Sequence, residues 1–161
     1  MKKMSDRRPT ISINAWRVAL NLEQTKSIQR DRNAPAYNCG CNLCVRWKKH
    51  YRKLLPSSLY MELSRALVDL DNPSELYEQS KDEGLSLIRV NFHIIGKILR
   101  GPQPAQPTEY GRHLYYSEIQ KTPYVAIAVI RHAESYEYQP EYKKSSAGEA
   151  ILLDMRVGLP S

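Results

Sequence analysis

Apolar and polar residues alternate strongly in TISINAWRVALNL (10–22), but the phase changes part way. Ile11, Ile13 and Ala15 share one face, then Trp16, Val18, Leu20 and Leu22 share the other. A slip of one residue at Ala15–Trp16 predicts either a bulged strand or two short strands. EQTKSIQRDRNAP loses the period and ends in Asn-Ala-Pro, which predicts a short helix or a loop. From Cys41 the spacing turns helical. Trp47, Tyr51, Leu54 and Leu55 recur on one face and leave Lys48, Lys49, Arg52 and Lys53 outward until Pro56 stops the helix. In LYMELSRALVDL, Leu59, Leu63, Ala66, Leu67 and Leu70 predict an amphipathic helix, with Ser57 or Ser58 as its cap. Asp71-Asn72-Pro73 reads as a turn. Pro73 followed by Glu75 predicts a third helix through about Gln79.

The second half reads differently. In LSLIRVNFHIIGKIL (85–99), Ile88, Val90, Phe92, Ile94 and Ile98 take one face of a strand, and Leu87, Arg89, Asn91, His93 and Ile95 take the other. GPQPAQPTEYG predicts an extended, proline-held loop. RHLYYSEIQ and PYVAIAVIRHAE read as strands joined at Lys121-Thr122-Pro123. ESYEYQPEYKKSSAG reads as a long polar loop, and EAILLDMRVGL as a closing strand. The order strand, helices, strands predicts an α+β fold, a mostly antiparallel β-sheet with two to three helices packed on one face.

Composition narrows this picture. The chain has 161 residues, of which 42 % are hydrophobic, which suits one globular domain over 1–161 with residues 1–9 a flexible basic N-terminus. The longest apolar run, VAIAVI (125–130), is strand-sized, so no membrane span is expected. MKKMSDRRPT is not followed by an apolar stretch, which points to a cytoplasmic protein with reduced thiols. Charge is lopsided. Through Pro56 there are 13 Lys and Arg against 3 Asp and Glu; beyond it there are 11 against 14.

All three cysteines lie within Cys39-Gly-Cys41-Asn-Leu-Cys44. Three is a poor count for a disulfide framework, and C-x-C-x2-C at a loop-to-helix junction supplies three thiolates of a tetrahedral zinc site. Gly40 is expected to permit the sharp backbone between the first two. A fourth ligand is open between His50, nearly two helical turns beyond Cys44, and His93, on the polar face of its strand. His113 and His132 also remain open on spacing.

The segment from Cys39 to about Leu99 resembles a family of small, uncharacterised bacterial and phage proteins. The matching features are CGCNLC, Trp47, Leu55-Pro56, Asp69–Asp71, Pro73-Ser74-Glu75 and NFHIIG. The family's Asn soon after the third cysteine is replaced here by Arg46 and Trp47. The resemblance implies Cys39, Cys41, Cys44 and His93 as ligands of a structural zinc. Small proteins of this kind from phages and mobile elements resemble the zinc-containing anti-CRISPR inhibitors of the type II effector nuclease. That implies a viral protein working in its host's cytoplasm by occupying a partner's surface.

Enzyme motifs are lacking. His132-Ala133-Glu134 has the H-x-E of zinc deaminases without the downstream P-C-x2-C. There is no P-loop, dinucleotide fingerprint, H-E-x2-H or G-x-S-x-G. A metal-dependent nuclease built on His113, His132 and scattered carboxylates is the remaining enzymatic alternative, and the expectation is a non-enzymatic protein. Two surfaces suit partners. In VRWKKHYRK (45–53), Arg46, Lys48, Lys49, Arg52 and Lys53 could contact phosphates, which makes a nucleic-acid-binding accessory protein the alternative function. In ESYEYQPEYKK, Tyr136, Tyr138 and Tyr142 among glutamates would suit a protein interface.

Overall fold

The computed structural model describes residues 8–109, 111–135, 137–142, 145–146 and 148–160. The phase slip in the first segment is a chain reversal. β1 (Thr10–Ile13) and β2 (Trp16–Leu20) pair antiparallel with Ile13 opposite Trp16. Asn14 takes the positive φ, 51°, that a two-residue hairpin turn demands. Three helices follow: α1 (Leu22–Ile28), α2 (Asn42–Leu54) and α3 (Ser57–Arg65). α3 begins directly after Pro56 with no side-chain cap, contrary to the expected serine cap. It ends early because Leu67 turns left-handed at φ 63°, so Val68 and Leu70 reach the core from a turn.

The expected helix at Pro73–Gln79 is instead a strand, β3 (Glu75–Asp82). Its start signal is genuine, but no apolar stripe at helical spacing follows it. An unpaired edge of β4 (Leu85–Arg100) offers Glu75 through Asp82 a ladder, with Glu75 opposite Asn91, Asp82 opposite Leu85 and a bulge between Glu78 and Ser80. Tertiary pairing overrides a weak local preference here. β5 (Ala105–Thr108) lies in the stretch expected to be a loop and forms a small ribbon with β6 (Gly111–Leu114), which opens the expected strand RHLYYSEIQ. β7 (Ser117–Gln120), β8 (Val125–Arg131) and β9 (Glu149–Pro160) complete the main sheet, ordered β1-β2-β4-β9-β8-β7 with β3 also on β4.

β4 is the spine. One edge carries β9 from Leu85 to Gly96, and the other carries β3 at one end and β2 at the other. Between those two partners the edge is met by other groups. Ile95 N–H donates to Thr25 Oγ1 at 2.9 Å, the Thr25 hydroxyl and Asn21 N–H donate to Ile95 O, and Gln29 Nε2 donates to His93 O at 2.8 Å. Ser74 N–H closes the gap on Asn91 O. Backbone groups that no strand can reach are thereby satisfied.

Alternation then separates two faces. Ile88, Val90, Phe92 and Ile94 join Leu153, Met155, Val157, Ile127 and Val129 against α2 and α3 in one fully buried core. Trp47, fully buried, stacks on Tyr51 at 5.3 Å and leans on Phe92 at 6.2 Å, with its indole N–H donating to Leu70 O. The opposite face holds Glu75, Tyr77, Arg89, Asn91, Asp154 and Arg156 on β3, β4 and β9.

Among the described residues of the long polar loop, Glu137 and Tyr138 fold onto that second face. Glu137 forms an ion pair with Arg89 at 2.8 Å, Tyr138 N–H donates to Glu75 Oε1 at 2.9 Å, and the Tyr138 hydroxyl donates to Asp31. Tyr138 is therefore occupied internally, Tyr142 is half-buried, and Tyr136 lies outside the described residues. Burial and a hydrogen bond with Glu137 push the Glu75 carboxyl up to about 7, against the N–H of Tyr138 and the charge of Arg89, which pull it down. A carboxyl raised in the fold binds a proton that the unfolded chain has released, so stability falls as pH rises from about 4.5 to 7. Glu75→Gln is expected to leave the melting temperature unchanged near pH 4. Near pH 8 it should stabilise by roughly 1 kcal/mol, discounted for partial exposure. Equal effects at both pH values, seen by thermal unfolding, would refute this.

Candidate metal centre

The loop before α2 is built by short-range hydrogen bonds. Asp31 turns the chain by accepting from Asn33 N–H and Ala34 N–H, Ala36 N–H donates to Ser74 O at 3.0 Å, and Cys39 N–H donates to Ala36 O. The left-handed residue is Asn38, φ 51°. Gly40, expected to supply that freedom, is not at positive φ, and a Cβ there would meet nothing within 4 Å. Cys41 caps α2. Its backbone is extended and its sulfur accepts the Cys44 N–H at 3.4 Å, while Cys41 N–H points to the Cys39 sulfur at 3.5 Å.

The three sulfurs lie within 4.8 Å of one another. Thiolates around a tetrahedral zinc with bonds of about 2.3 Å sit about 3.8 Å apart, so little movement separates this arrangement from a ligated one. The group can hold a metal ion. Cys44 is buried, Cys39 half-buried and Cys41 exposed. The environment splits the thiols. The Cys44 N–H, and after it the Cys39 thiol, hold the Cys41 thiol below its ordinary range, as a helix N-terminus does. Burial, and then the neighbouring thiols, push the Cys44 thiol well above it. A bound cation would compensate that burial, because ligation displaces the proton. Donor chemistry, spacing and a buried uncharged sulfur therefore all fit a soft or borderline divalent ion.

His93 is not in the thiol group. Because the strand alternates, Phe92 points at Trp47 of the cysteine helix and His93 points to the opposite face, where it is 4 % exposed. Its Nδ1 shares a hydrogen bond with the Ser74 hydroxyl at 2.7 Å. His50, half-buried on α2, also stands outside the group, and the side chains of His113 and His132 lie outside the described part of the structure. From this geometry His93→Ala should retain the metal. Zinc analysis of the purified variant checks it, and a metal-free variant would show that the imidazole swings across to the thiols.

The basic helix divides by side chain. Arg46 is committed to the fold, donating to Pro160 O at 2.8 and 3.0 Å, Leu159 O at 3.2 Å and Ser86 Oγ at 3.2 Å. Lys48, Lys49, Arg52 and Lys53 are exposed, with Arg52 near the Tyr51 ring at 5.8 Å. The polar set on the far sheet face was not singled out from sequence. The alternation Leu87, Arg89, Asn91 contained it, but only the pairing of β4 with β3 and β9 assembles it. No helix is long and apolar enough to cross a membrane among the described residues. Comparison with protein-family models, curated proteins and solved structures finds no match to this chain.

Proposed function

We propose that this is a non-enzymatic zinc-binding protein that acts by occupying a partner's surface. Cys39, Cys41 and Cys44 hold the ion, which fastens the loop 31–41 to the first turn of α2. The observation that carries the reading is the approach of three sulfurs to within 4.8 Å at a helix cap. The fourth position of a tetrahedral ion is then left to water or to a donor from a partner. The partner class follows from the family resemblance: a type II CRISPR effector nuclease whose DNA cleavage the protein would block. Stoichiometric loss of cleavage on adding the zinc-loaded protein supports this. Unimpaired cleavage by a panel of type II effectors removes it while leaving the metal site intact.

Exposure of four neighbouring cations favours one second reading, a zinc-stabilised nucleic-acid-binding accessory protein. Clustered cations release counterions from phosphates, so binding should weaken steeply with salt. Changing Lys48, Lys49, Arg52 and Lys53 together to Glu is expected to abolish a low-salt gel shift without lowering the melting temperature by more than about 2 °C. An unaltered shift would exclude this helix as the nucleic-acid surface.

A further inference from the structure

The face of the sheet turned away from the helices is costly to build. Asp154 is fully buried with its carboxylate held by Arg89 Nε at 3.0 and 3.1 Å and by the Tyr116 hydroxyl at 2.8 Å. Arg89 also reaches Glu137 and the Tyr77 hydroxyl. A buried ion pair adds little net stability compared with apolar residues of the same size, so its presence calls for another reason. Two groups beside it are unsatisfied. Asn91, fully buried, lies directly between Glu75 on β3 and Asp154 on β9, and same-register residues share a face. Its Nδ2 and Oδ1 have no hydrogen-bond partner among the described residues, and neither does the buried Nε of Arg156.

Arg156 stands diagonally from Asn91 across the β4–β9 ladder, a spacing of about 7–8 Å that long side chains span. Its guanidinium lies over the Tyr116 ring at 4.1 Å and has no carboxylate within ion-pair distance among the described residues. The guanidinium therefore has no direct ion pair, whereas Arg89 is shared by two carboxylates. Beneath Tyr116, β8 places only Ala126 and Ala128 opposite Arg156 and Asp154, which keeps bulk away from this row.

We propose that this face binds a small oxyanion that also carries a hydroxyl or amino hydrogen, held between Asn91 and Arg156 under the segment bearing Glu137 and Tyr138. The ligand class follows from the unmet groups. Two N–H donors, one of them charged, call for an anionic oxygen, and arginine pairs best with carboxylate or phosphate. The orphan Oδ1 calls for a donor on the same molecule. A protonated phosphate and a 2-hydroxy carboxylate both meet these demands, and acetate and chloride do not. Glu75 stands opposite Asn91, and burial raises its carboxyl, so its protonation can offset the incoming charge.

The test is a titration of the full-length, metal-loaded chain followed by nitrogen-15 NMR of the Asn91 side-chain amide and the Arg156 Nε. Inorganic phosphate and lactate are the probes, with acetate and chloride as controls. The expected result is a saturable shift of both signals with phosphate, lactate or both, and the pattern identifies the source of the oxyanion. Asn91→Leu removes the unsatisfied amide, so it should raise the melting temperature by about 2–6 °C while weakening binding at least about tenfold. This combination separates a binding role from a structural one. The proposal is overturned if neither probe moves these signals. It is equally overturned if Asn91→Leu binds as tightly as the parent, or if a long-lived water contacts the Asn91 amide and anions leave it unchanged. None of these outcomes bears on the thiol site, which lies on the other side of the sheet.

Discussion

Asp154→Ala should be among the most destabilising single changes in this protein, lowering its stability by about 3–5 kcal/mol. The carboxylate is completely buried and is the principal counter-ion of Arg89, whose side chain is 11 % exposed. Removing it leaves a guanidinium with only Glu137 to balance it, a Tyr116 hydroxyl without its acceptor and a small cavity. Against a total stability of about 5–15 kcal/mol, that is a large fraction. For a chain of this length it corresponds to a fall in melting temperature of roughly 10 °C. Replacing both partners, as Arg89→Met with Asp154→Leu, should recover most of the loss, because the cost lies in the unpaired charge and not in the missing bond. A single variant that melts within about 2 °C of the parent would show that the pair is solvated.

The second large effect is expected from the metal. Stripping zinc with a chelator should lower the melting temperature by roughly 10 °C, because an ion held at a thousandfold excess over its dissociation constant contributes about 4 kcal/mol. The domain should loosen without unfolding outright. α2 is also held by Trp47, Tyr51 and Leu54 in the core and by Arg46 on the last carbonyls of β9. Cys44→Ser should reproduce the loss and make the protein insensitive to chelator. A chelator-treated parent whose melting temperature does not move would remove the structural role of the ion.

How far these sites could be read in advance depended on the range of the interactions involved. β4, β8 and β9 are legible because each buries a face or both faces, and the alternation of Ile88, Val90, Phe92 and Ile94 survives every local signal. The cysteine cluster is legible because its three thiols lie within six residues of the chain. β3 was hidden, since Pro73 and Glu75 mimic a helix start and the pairing that overrides them comes from the far edge of β4. The same long-range register hid the Asn91, Asp154 and Arg156 row, whose members lie some sixty residues apart in the chain. For His93, the family resemblance implied a place beside the thiols. In the structure it stands outside the thiol group, because a residue next to one that faces the cysteine helix lies on the opposite face of the strand. Arg46 was legible as a cation but not as a clamp, because its acceptors are carbonyls at the other end of the sequence.

Cys39, Cys41 and Cys44 are proposed to hold one zinc ion together. Zinc K-edge X-ray absorption on the purified, stoichiometrically loaded protein tests it most directly. One zinc per chain, with three sulfur ligands at about 2.3 Å and one lighter donor, is the expected result. Two or fewer sulfurs in the first shell, or a chain that takes up no zinc, would contradict it.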